Sequence, residues 1–249
     1  GSDLQALRTT ARKDGNHYVI NGSKTYITNG QNADLILVCC KTDPDANPAY
    51  KGVSIVLVEA DREGFKRGRN LNKAGLDAAD TSEMFFEDVR VPITNCLGEE
   101  GKGFIYLMSE LPQERLSIAI GAQTGAQRSF DQTVEFVRER KAFGKPILDF
   151  QNTRFVLADL KTKLQVGWAH IDWALARHMK KELTPEEASA AKLWHTELQG
   201  EVVDKCLQLH GGAGFMNEYP IAKQFRGARV TRIFGGTSEI MKELIGRKL

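Results

Sequence analysis

The sequence predicts an α+β protein of more than one domain, in which an antiparallel β-barrel or β-sandwich domain is followed by a C-terminal four-helix bundle. Residues 1–98 contain short apolar or β-branched runs separated by turn residues, a spacing typical of a sandwich or barrel. From residue 99 onward, apolar residues recur at intervals of three and four, which is the period of a helix packed on one face. We therefore predict a β domain over 1–98 and a helical domain over 99–249.

Short strands divided by turn residues are predicted in the first domain. An Asn-Gly pair between apolar runs is a strong indication of a hairpin, so turns are predicted at Asn21-Gly22 and Asn29-Gly30. A polar stretch with two prolines, residues 43–50, is predicted to be a loop. The strands predicted between these boundaries are 16–20, 24–28, 35–40, 53–58 and 83–86.

Several helices are predicted in the second domain. Thr184-Pro185-Glu186-Glu187 places Thr at an N-cap, Pro in the first turn and Glu three residues after the cap, so a helix begins there. Glycines at 211, 212 and 214 are expected to stop or bend it, and a last helix is predicted from about Thr237. We predict four or more long helices. The residues expected on buried helix faces are Leu157, Leu160, Leu164, Trp168, Ile171, Leu175, Met179, Trp194, Leu198 and Val202.

Composition narrows the class of protein. The chain has 249 residues, of which 41% are apolar and 27% charged, with a net charge of +2. This balance allows a sizeable core and gives little support to a nucleic-acid binder, which normally shows a concentrated basic surface. The four cysteines match no zinc-site spacing and are interpreted as reduced thiols of an intracellular protein, so no metal site is predicted. No apolar run is long enough to span a membrane, and no signal peptide is visible.

Glu114 is the first candidate catalytic residue. It follows Pro112, which fits the first turn of a new helix, and it precedes an apolar stretch that includes Leu116 and Ile118. Apolar surroundings raise the pKa of a carboxyl, which makes the carboxylate basic enough to remove a proton beside a carbonyl. The alternative is a first-turn glutamate that only complements the helix dipole.

Three further segments are candidate ligand sites. Gln208-Leu209-His210-Gly211-Gly212 is a glycine-rich turn whose backbone could approach a phosphate or ring; the alternative is a helix C-cap with a structural histidine. Residues 138–145 contain four cations that could hold a pyrophosphate; the alternative is the charged last turn of a helix ending at Gly144. Tyr26 and Thr28 lie two residues apart and could cover a flat ring; the alternative is an ordinary surface pair.

The order and spacing of these motifs resemble the middle and C-terminal domains of the acyl-CoA dehydrogenase family. Together the matching segments span essentially the whole chain. They are G-S-D-L-Q at 1–5, K-T-Y-I-T-N-G at 24–30, L-P-Q-E-R-L at 111–116, E-R-K-A-F-G-K at 139–145, Q-L-H-G-G at 208–212, E-Y-P-I-A-K at 218–223 and G-G-T-S-E-I at 235–240.

This resemblance implies a flavoprotein that uses FAD, usually as a homotetramer. The implied reaction is α,β-dehydrogenation of acyl-CoA to trans-2-enoyl-CoA in fatty-acid β-oxidation, with electrons passed to an electron-transfer flavoprotein. Such an enzyme would work in the bacterial cytoplasm or the mitochondrial matrix. The family also carries an N-terminal helical domain that is absent here, so we expect a fragment. The alternatives are an acyl-CoA oxidase and a non-catalytic or DNA-binding member of the fold.

The resemblance also assigns residue roles. The residues matching FAD-binding positions are Tyr26, Thr28, Arg140, Phe143, Gln151, Gln208, Leu209, His210, Gly211, Gly212, Thr237 and Glu239. The residues matching substrate-binding positions are Ser2, Arg115, Gly235 and Gly236.

The position of the base distinguishes branches of the family. Most members carry a catalytic glutamate immediately before the Gly-Thr of the last motif, where this chain has Gly235. The long-chain and isovaleryl branches carry it in the segment where this chain has Glu114, and the local sequence is more similar to the long-chain branch. The resemblance therefore implies that Glu114 is the base, and the backbone N–H of Gly235 is the predicted donor to the thioester oxygen.

Overall fold

A computed structural model describes residues 1–249 and divides into two compact units, Gly1–Ser109 and Glu110–Leu249. The first unit is mainly β-sheet and the second mainly α-helix. This order confirms the predicted fold class, a β domain followed by a helical domain. The boundary proposed between residues 98 and 99 stays a prediction; the first long helix begins at Gly103.

A six-stranded sheet forms the first unit. Its strands are β1 Thr10–Asp14, β2 His17–Thr28, β3 Leu35–Lys41, β4 Val53–Glu59, β5 Phe65–Asn70 and β6 Thr81–Pro92. They lie in the order β4-β3-β1-β2-β6-β5. Neighbouring strands are antiparallel, except that β1 and β3 pair in parallel. Successive side chains of a strand alternate between faces, so Ile36 and Val38 are buried while Leu35 and Leu37 are exposed.

The hairpins predicted at the Asn-Gly pairs are wrong. Strand β2 continues through Asn21-Gly22, where a register shift against β6 and a φ of 144° at Gly22 mark a β-bulge. Asn29-Gly30 does end β2, but β2 pairs with β1 and β6 rather than with β3. The tight hairpin joins β1 to β2 through Gly15-Asn16, and its first strand was missed.

Five α-helices build most of the second unit. Only three of them are long, whereas four or more long helices were predicted. A two-stranded ribbon of β7 Lys141–Ala142 and β8 Lys145–Pro146 interrupts the helices. The helices are α1 Gly103–Glu139, α2 Gln151–Met179, α3 Pro185–His210, α4 Pro220–Ala228 and α5 Ser238–Gly246.

The predicted stripe of apolar residues lines the helical core, with two exceptions. Met179 is the last residue of α2 and is 82% exposed, since it lies beyond the packed part of the helix. Trp194 is 37% exposed because it lies beside the buried stripe that contains His195 and Leu198. The stripe residues that are buried are Leu157, Leu160, Leu164, Ile171, Leu198 and Val202.

Two helix boundaries on α1 differ from the prediction. Pro112 lies inside the helix, which begins at Gly103, so Glu114 is in the helix interior rather than its first turn. The helix ends at Glu139, not at Gly144. Phe143 and Gly144 form the two-residue turn of the β7–β8 ribbon, and both have positive φ, as a type I′ turn requires.

Thr184 should stabilise the start of α3. Its side chain accepts a hydrogen bond from Glu187 N–H at 3.2 Å, and the Glu187 carboxylate accepts from Thr184 N–H at 2.9 Å, which completes the predicted capping box. We expect Thr184→Ala to lower the free energy of unfolding by about 1 kcal/mol. Urea denaturation measures this loss, and an unchanged midpoint would contradict it.

His195 should make folding sensitive to acid. It is fully buried on α3, where one ring nitrogen lies 3.0 Å from Gln123 Oε1 and the other 3.2 Å from His170 Nδ1. Burial, and secondarily the neighbouring His170, lower the pKa of His195 to about 3 from an ordinary value of 6.5. The unfolded chain therefore binds a proton that the folded chain excludes, so stability is present above pH 6.5 and falls as the pH drops towards 3.

The variant His195→Gln should lose this part of the acid sensitivity. We expect its unfolding free energy to fall less steeply with acid than that of the unaltered protein, by up to about 1.4 kcal/mol per pH unit. Urea denaturation at a series of pH values from 7.5 to about 4.5 gives both slopes. Equal slopes would contradict the assignment to His195.

Candidate functional site

The structure brings Glu114 and Gly235 to the same part of the helical unit. Gly235 packs so closely against α1 that a β-carbon there would overlap Ile118 Cδ1. Residues four apart lie on the same face of a helix, so Glu114 is one turn from this contact. The base predicted from L-P-Q-E-R-L and the glycine that replaces the usual base therefore lie near each other.

The surroundings of Glu114 differ from the prediction. Apolar neighbours were expected, but Glu114 is exposed in this chain, while the adjacent Arg115 and Leu116 are buried. Helix geometry explains the difference, because consecutive residues point about 100° apart and only one flank of α1 meets the core. The carboxylate is thus open to a ligand on its own face of the helix.

Arg115 lies on the buried flank. It is 7% exposed, and one guanidinium nitrogen donates to Ser189 Oγ on α3 at 3.3 Å. Its Nε is buried and makes no hydrogen bond within the chain. Burial lowers the pKa of Arg115, while the charge of Glu114 acts in the opposite direction. Arg115 is therefore largely enclosed by the helices, and only a small part of its guanidinium can contact a ligand.

The segment Gly235–Thr237 has a backbone shape that favours glycine. Gly235 has a φ of 66° and Gly236 a φ of 106°, both in the region that side-chain-bearing residues avoid. The Gly235 N–H donates to no group of the chain, whereas the preceding Phe234 N–H bonds to Val230 O. Gly235 therefore offers a free donor beside α1.

The start of α5 anchors this segment on its other side. Thr237 is the N-cap of the helix and accepts from Ile240 N–H at 3.3 Å, and Ser238 donates to Glu197 Oε1 on α3 at 2.6 Å. Glu239 is exposed in the first helical turn, where hydrogen bonds from its own backbone N–H and from Thr237 lower the pKa of its carboxyl. A pocket of about 200 Å³ is lined by Thr237 and Glu239 among others.

Lys192 was missed in the sequence although it contacts this segment. It is fully buried on α3 and its ammonium donates to Gly236 O at 2.6 Å. Burial lowers the pKa of Lys192 to about 8. The helical spacing of buried residues on α3 could have indicated that Lys192 is buried. Ala188, Ala191 and His195 form a buried stripe, and position 192 lies within that stripe.

Two cofactor candidates lie on the sheet of the first unit. Tyr26 is 79% exposed, with a φ of 62° in a second bulge of β2, and Thr28 is exposed at the end of the strand. The bulge interrupts the regular alternation of faces from which a shared face for these two residues was predicted. Ser2 is exposed ahead of the short 3₁₀ turn Leu4–Ala6.

The structure groups Arg140, Phe143 and Gln151 around the β7–β8 ribbon. Arg140 directly precedes β7, Phe143 is in its turn, and Gln151 is the first residue of α2. All three are exposed, and Phe143 is 94% exposed despite its aromatic ring. An aromatic residue held in the left-handed region and directed into solvent favours a contact outside the chain.

The glycine-rich end of α3 combines a structural histidine with an open backbone. His210 bonds through Nδ1 to Cys206 O at 2.8 Å and stacks on Phe136 at 4.2 Å, and burial lowers the pKa of His210. Gln208 is exposed and Leu209 half-buried. Gly211 and Gly212 are exposed, and a β-carbon at either would meet no atom within 4 Å. The space beside these glycines is therefore free for a ligand.

Two family models together match most of the chain. The acyl-CoA dehydrogenase middle domain matches residues 1–89, and the acyl-CoA dehydrogenase C-terminal domain matches residues 101–249. The chain belongs to the acyl-CoA dehydrogenase family. The whole-chain resemblance inferred from the seven motifs is thereby confirmed.

The relatives of this chain include proteins named as long-chain specific acyl-CoA dehydrogenases. It is 51% identical to the mitochondrial long-chain specific acyl-CoA dehydrogenase of Sus scrofa, over 100% of this chain and 58% of the relative. It superposes with a TM-score of 0.98 on the acyl-CoA dehydrogenase of Geobacillus kaustophilus, at 50% identity, covering 100% of this chain and 65% of that one. The chain thus spans about three fifths of the length of these relatives.

A third relative was solved with a reduced flavin. The structure of a glutaryl-CoA dehydrogenase from Mycobacterium smegmatis in complex with FADH2 matches with a TM-score of 0.92, at 30% identity, over 100% of this chain and 62% of that one.

Among the helices of this family member, none has the length and hydropathy of a bilayer-spanning segment. No group of three or more His, Cys, Asp or Glu side chains is arranged to hold a metal ion.

Proposed function

We propose that the protein catalyses α,β-dehydrogenation of a long-chain acyl-CoA to the trans-2-enoyl-CoA, as a step of fatty-acid β-oxidation. The observation that carries the proposal is the pairing of Glu114 with Gly235. A carboxylate on α1 lies one turn from Ile118, and Ile118 contacts the glycine that stands where most members of the family have their base. The 51% identity to a long-chain specific enzyme supports the chain-length assignment.

The residues of this chain fit FAD as the cofactor. Gly211 and Gly212 leave open space beside backbone, as a pyrophosphate or ring would need. Tyr26 and Phe143 are exposed aromatic rings suited to contact a flat ligand. The remaining FAD contacts that we propose are Thr28, Arg140, Gln151, Gln208, Leu209, His210, Thr237 and Glu239. When bound, FAD supplies the two-electron acceptor of the oxidation.

The proposed roles of the protein groups follow from their chemistry. Glu114 removes the proton from the α-carbon, beside the thioester carbonyl. Negative charge then develops on the thioester oxygen, and the free Gly235 N–H donates to it. Arg115 and Ser2 are proposed contacts of the CoA portion, and the Gly236 backbone completes the substrate site.

Anaerobic mixing of the full-length, FAD-loaded protein with palmitoyl-CoA tests this proposal. We expect the visible absorption of the flavin to bleach as the trans-2-enoyl thioester forms in equal amount. Bleaching that is faster with butyryl-CoA than with palmitoyl-CoA would overturn the long-chain assignment. Bound flavin that bleaches with neither thioester would overturn the reaction.

The route of the electrons is a second part of the proposal. We propose that the reduced flavin passes its electrons to an electron-transfer flavoprotein. We also propose that the protein assembles as a homotetramer and works in the mitochondrial matrix or the bacterial cytoplasm. The acyl-CoA oxidase alternative differs in the acceptor, since oxygen would reoxidise the flavin. Admitting air after bleaching separates the two. Slow recovery of the absorption that an electron-transfer flavoprotein accelerates supports a dehydrogenase, whereas recovery within the turnover time in air alone supports an oxidase.

A further inference from the structure

We propose that Lys192 is a positioning residue that holds the Gly235–Gly236 backbone in the conformation that presents the Gly235 N–H to the substrate. The ammonium of Lys192 reaches from α3 to the carbonyl oxygen of Gly236, at 2.6 Å. This inference rests on the proposed function, because it assumes that Gly235 donates to the thioester oxygen. It assigns a task to a residue that is not among the proposed substrate and cofactor contacts.

The burial of Lys192 indicates that its position is not accidental. Its side chain has no solvent exposure and lies in the stripe of α3 that also contains Ala191 and His195. Moving an ammonium out of water is costly, and an apolar side chain of similar size often packs as well or better. A lysine in this position therefore needs a reason other than the stability of the fold. Its hydrogen bond to the glycine segment supplies one.

The glycine segment needs an anchor because two successive glycines have wide conformational freedom. On one side, Phe234 N–H bonds to Val230 O, and on the other Thr237 caps α5. Between these points the contact of Gly235 with Ile118 is apolar and gives no direction to a peptide group. The bond from Lys192 fixes the orientation of the Gly236 carbonyl. It thereby restricts the backbone dihedrals of Gly236 and, through the intervening peptide, those of Gly235, whose N–H is the proposed donor.

Charged groups around Lys192 help to keep its amine protonated near neutral pH. Burial and the nearby Arg115 lower the pKa of Lys192, to about 8, while Glu197 and Glu239 act in the opposite direction. Glu197 also accepts from Ser238, the first residue of α5. The same carboxylate thus favours the charged form of Lys192 and ties down the helix that follows the glycine segment.

The variants Lys192→Met and Lys192→Gln test the proposal in the full-length, FAD-loaded protein. Methionine keeps an unbranched side chain without a donor, and glutamine keeps a donor without a charge. For Lys192→Met we expect unchanged flavin content, a KM within about threefold, and a kcat lowered about 10- to 100-fold, since a displaced donor loses transition-state stabilisation. Lys192→Gln should recover part of the lost kcat.

A binding measurement separates positioning from a general structural role. The enolate of a bound 3-ketoacyl-CoA absorbs in the near ultraviolet, so its apparent pKa can be titrated without turnover. With a displaced Gly235 N–H, we expect Lys192→Met to raise that pKa by about one unit, which corresponds to a tenfold loss of enolate stabilisation. Thr184→Ala, which weakens the same helix at its cap, should leave both the enolate pKa and kcat unchanged.

The outcomes distinguish this inference from the proposed function. If Lys192→Met has the kcat and enolate pKa of the unaltered protein while Glu114→Gln is inactive, the positioning role is wrong and the proposed base stands. If the kcat of Lys192→Met falls only in proportion to lost flavin or folded protein, Lys192 is structural and the inference is overturned. If Glu114→Gln turns over normally, the proposed function itself fails.

Discussion

Replacing Glu114 by glutamine should lower kcat for a long-chain acyl-CoA by about 10³-fold or more, because a general base contributes up to about 10⁴-fold and an amide cannot accept the α-proton. Flavin should remain bound, because Glu114 is not among the residues assigned to FAD. The change keeps the shape of the side chain, and Glu114 is exposed on α1, so folding should be unaffected. Rapid mixing with acyl-CoA under anaerobic conditions measures the loss directly.

The control for this experiment is Glu135→Gln. Glu135 is also exposed on α1 and undergoes the same chemical change, but it lies several turns beyond Ile118 and Gly235. Its kcat should match that of the unaltered protein. A Glu114→Gln variant that retains more than about a tenth of the original kcat would show that another group removes the proton.

Replacing Gly212 by leucine should abolish FAD binding without unfolding the protein. A β-carbon at Gly212 meets no atom of the chain within 4 Å, and its φ lies outside the left-handed region, so the side chain fits the fold. The same side chain would fill the space that we assign to the cofactor. We expect the flavin content to fall by at least tenfold, an estimate based on the cost of placing several carbon atoms in an occupied site.

A matched substitution at Gly121 tests whether any leucine would have this effect. Gly121 lies on an exposed position of α1, and a β-carbon there also meets nothing within 4 Å. Gly121→Leu should bind flavin normally. Absorption at 450 nm against 280 nm after gel filtration gives the flavin content of each variant. A Gly212→Leu protein with full flavin content would remove Gly211-Gly212 from the proposed FAD site.

The large features of the fold follow from local sequence. The Thr184 capping box and the stripe beginning at Leu157 predicted helices that the structure contains. The missed features depend on partners distant in the chain. Asn21-Gly22 has the composition of a turn, but pairing with β6 keeps the chain extended there. Pro112 is usual in a first helical turn, yet α1 accommodates it in its interior.

Some features of the candidate site could likewise be predicted from local sequence, and others depend on residues distant in the chain. Glu114 and Gly235 were identified from motifs. Most of the family has its catalytic glutamate where this chain has Gly235, and this chain has a glutamate at position 114 instead. Their proximity could not be predicted, since it depends on the packing of Ile118 against a segment more than a hundred residues later. Lys192 was missed because a charged residue is normally assigned to a solvated face. Its burial becomes evident only when α3 has been placed against α5.

Exchange of the α-hydrogen tests the central claim, that Glu114 is the base, most directly. A 3-thia-acyl-CoA has sulfur in place of its β-carbon and therefore has no hydride to lose, so proton removal can be observed alone. The FAD-loaded protein in deuterated water should introduce deuterium at the α-carbon, as followed by mass spectrometry. We predict that Glu114→Gln reduces this exchange by about 10²-fold or more, with the thioester still bound. Equal exchange rates in the two proteins would contradict the account.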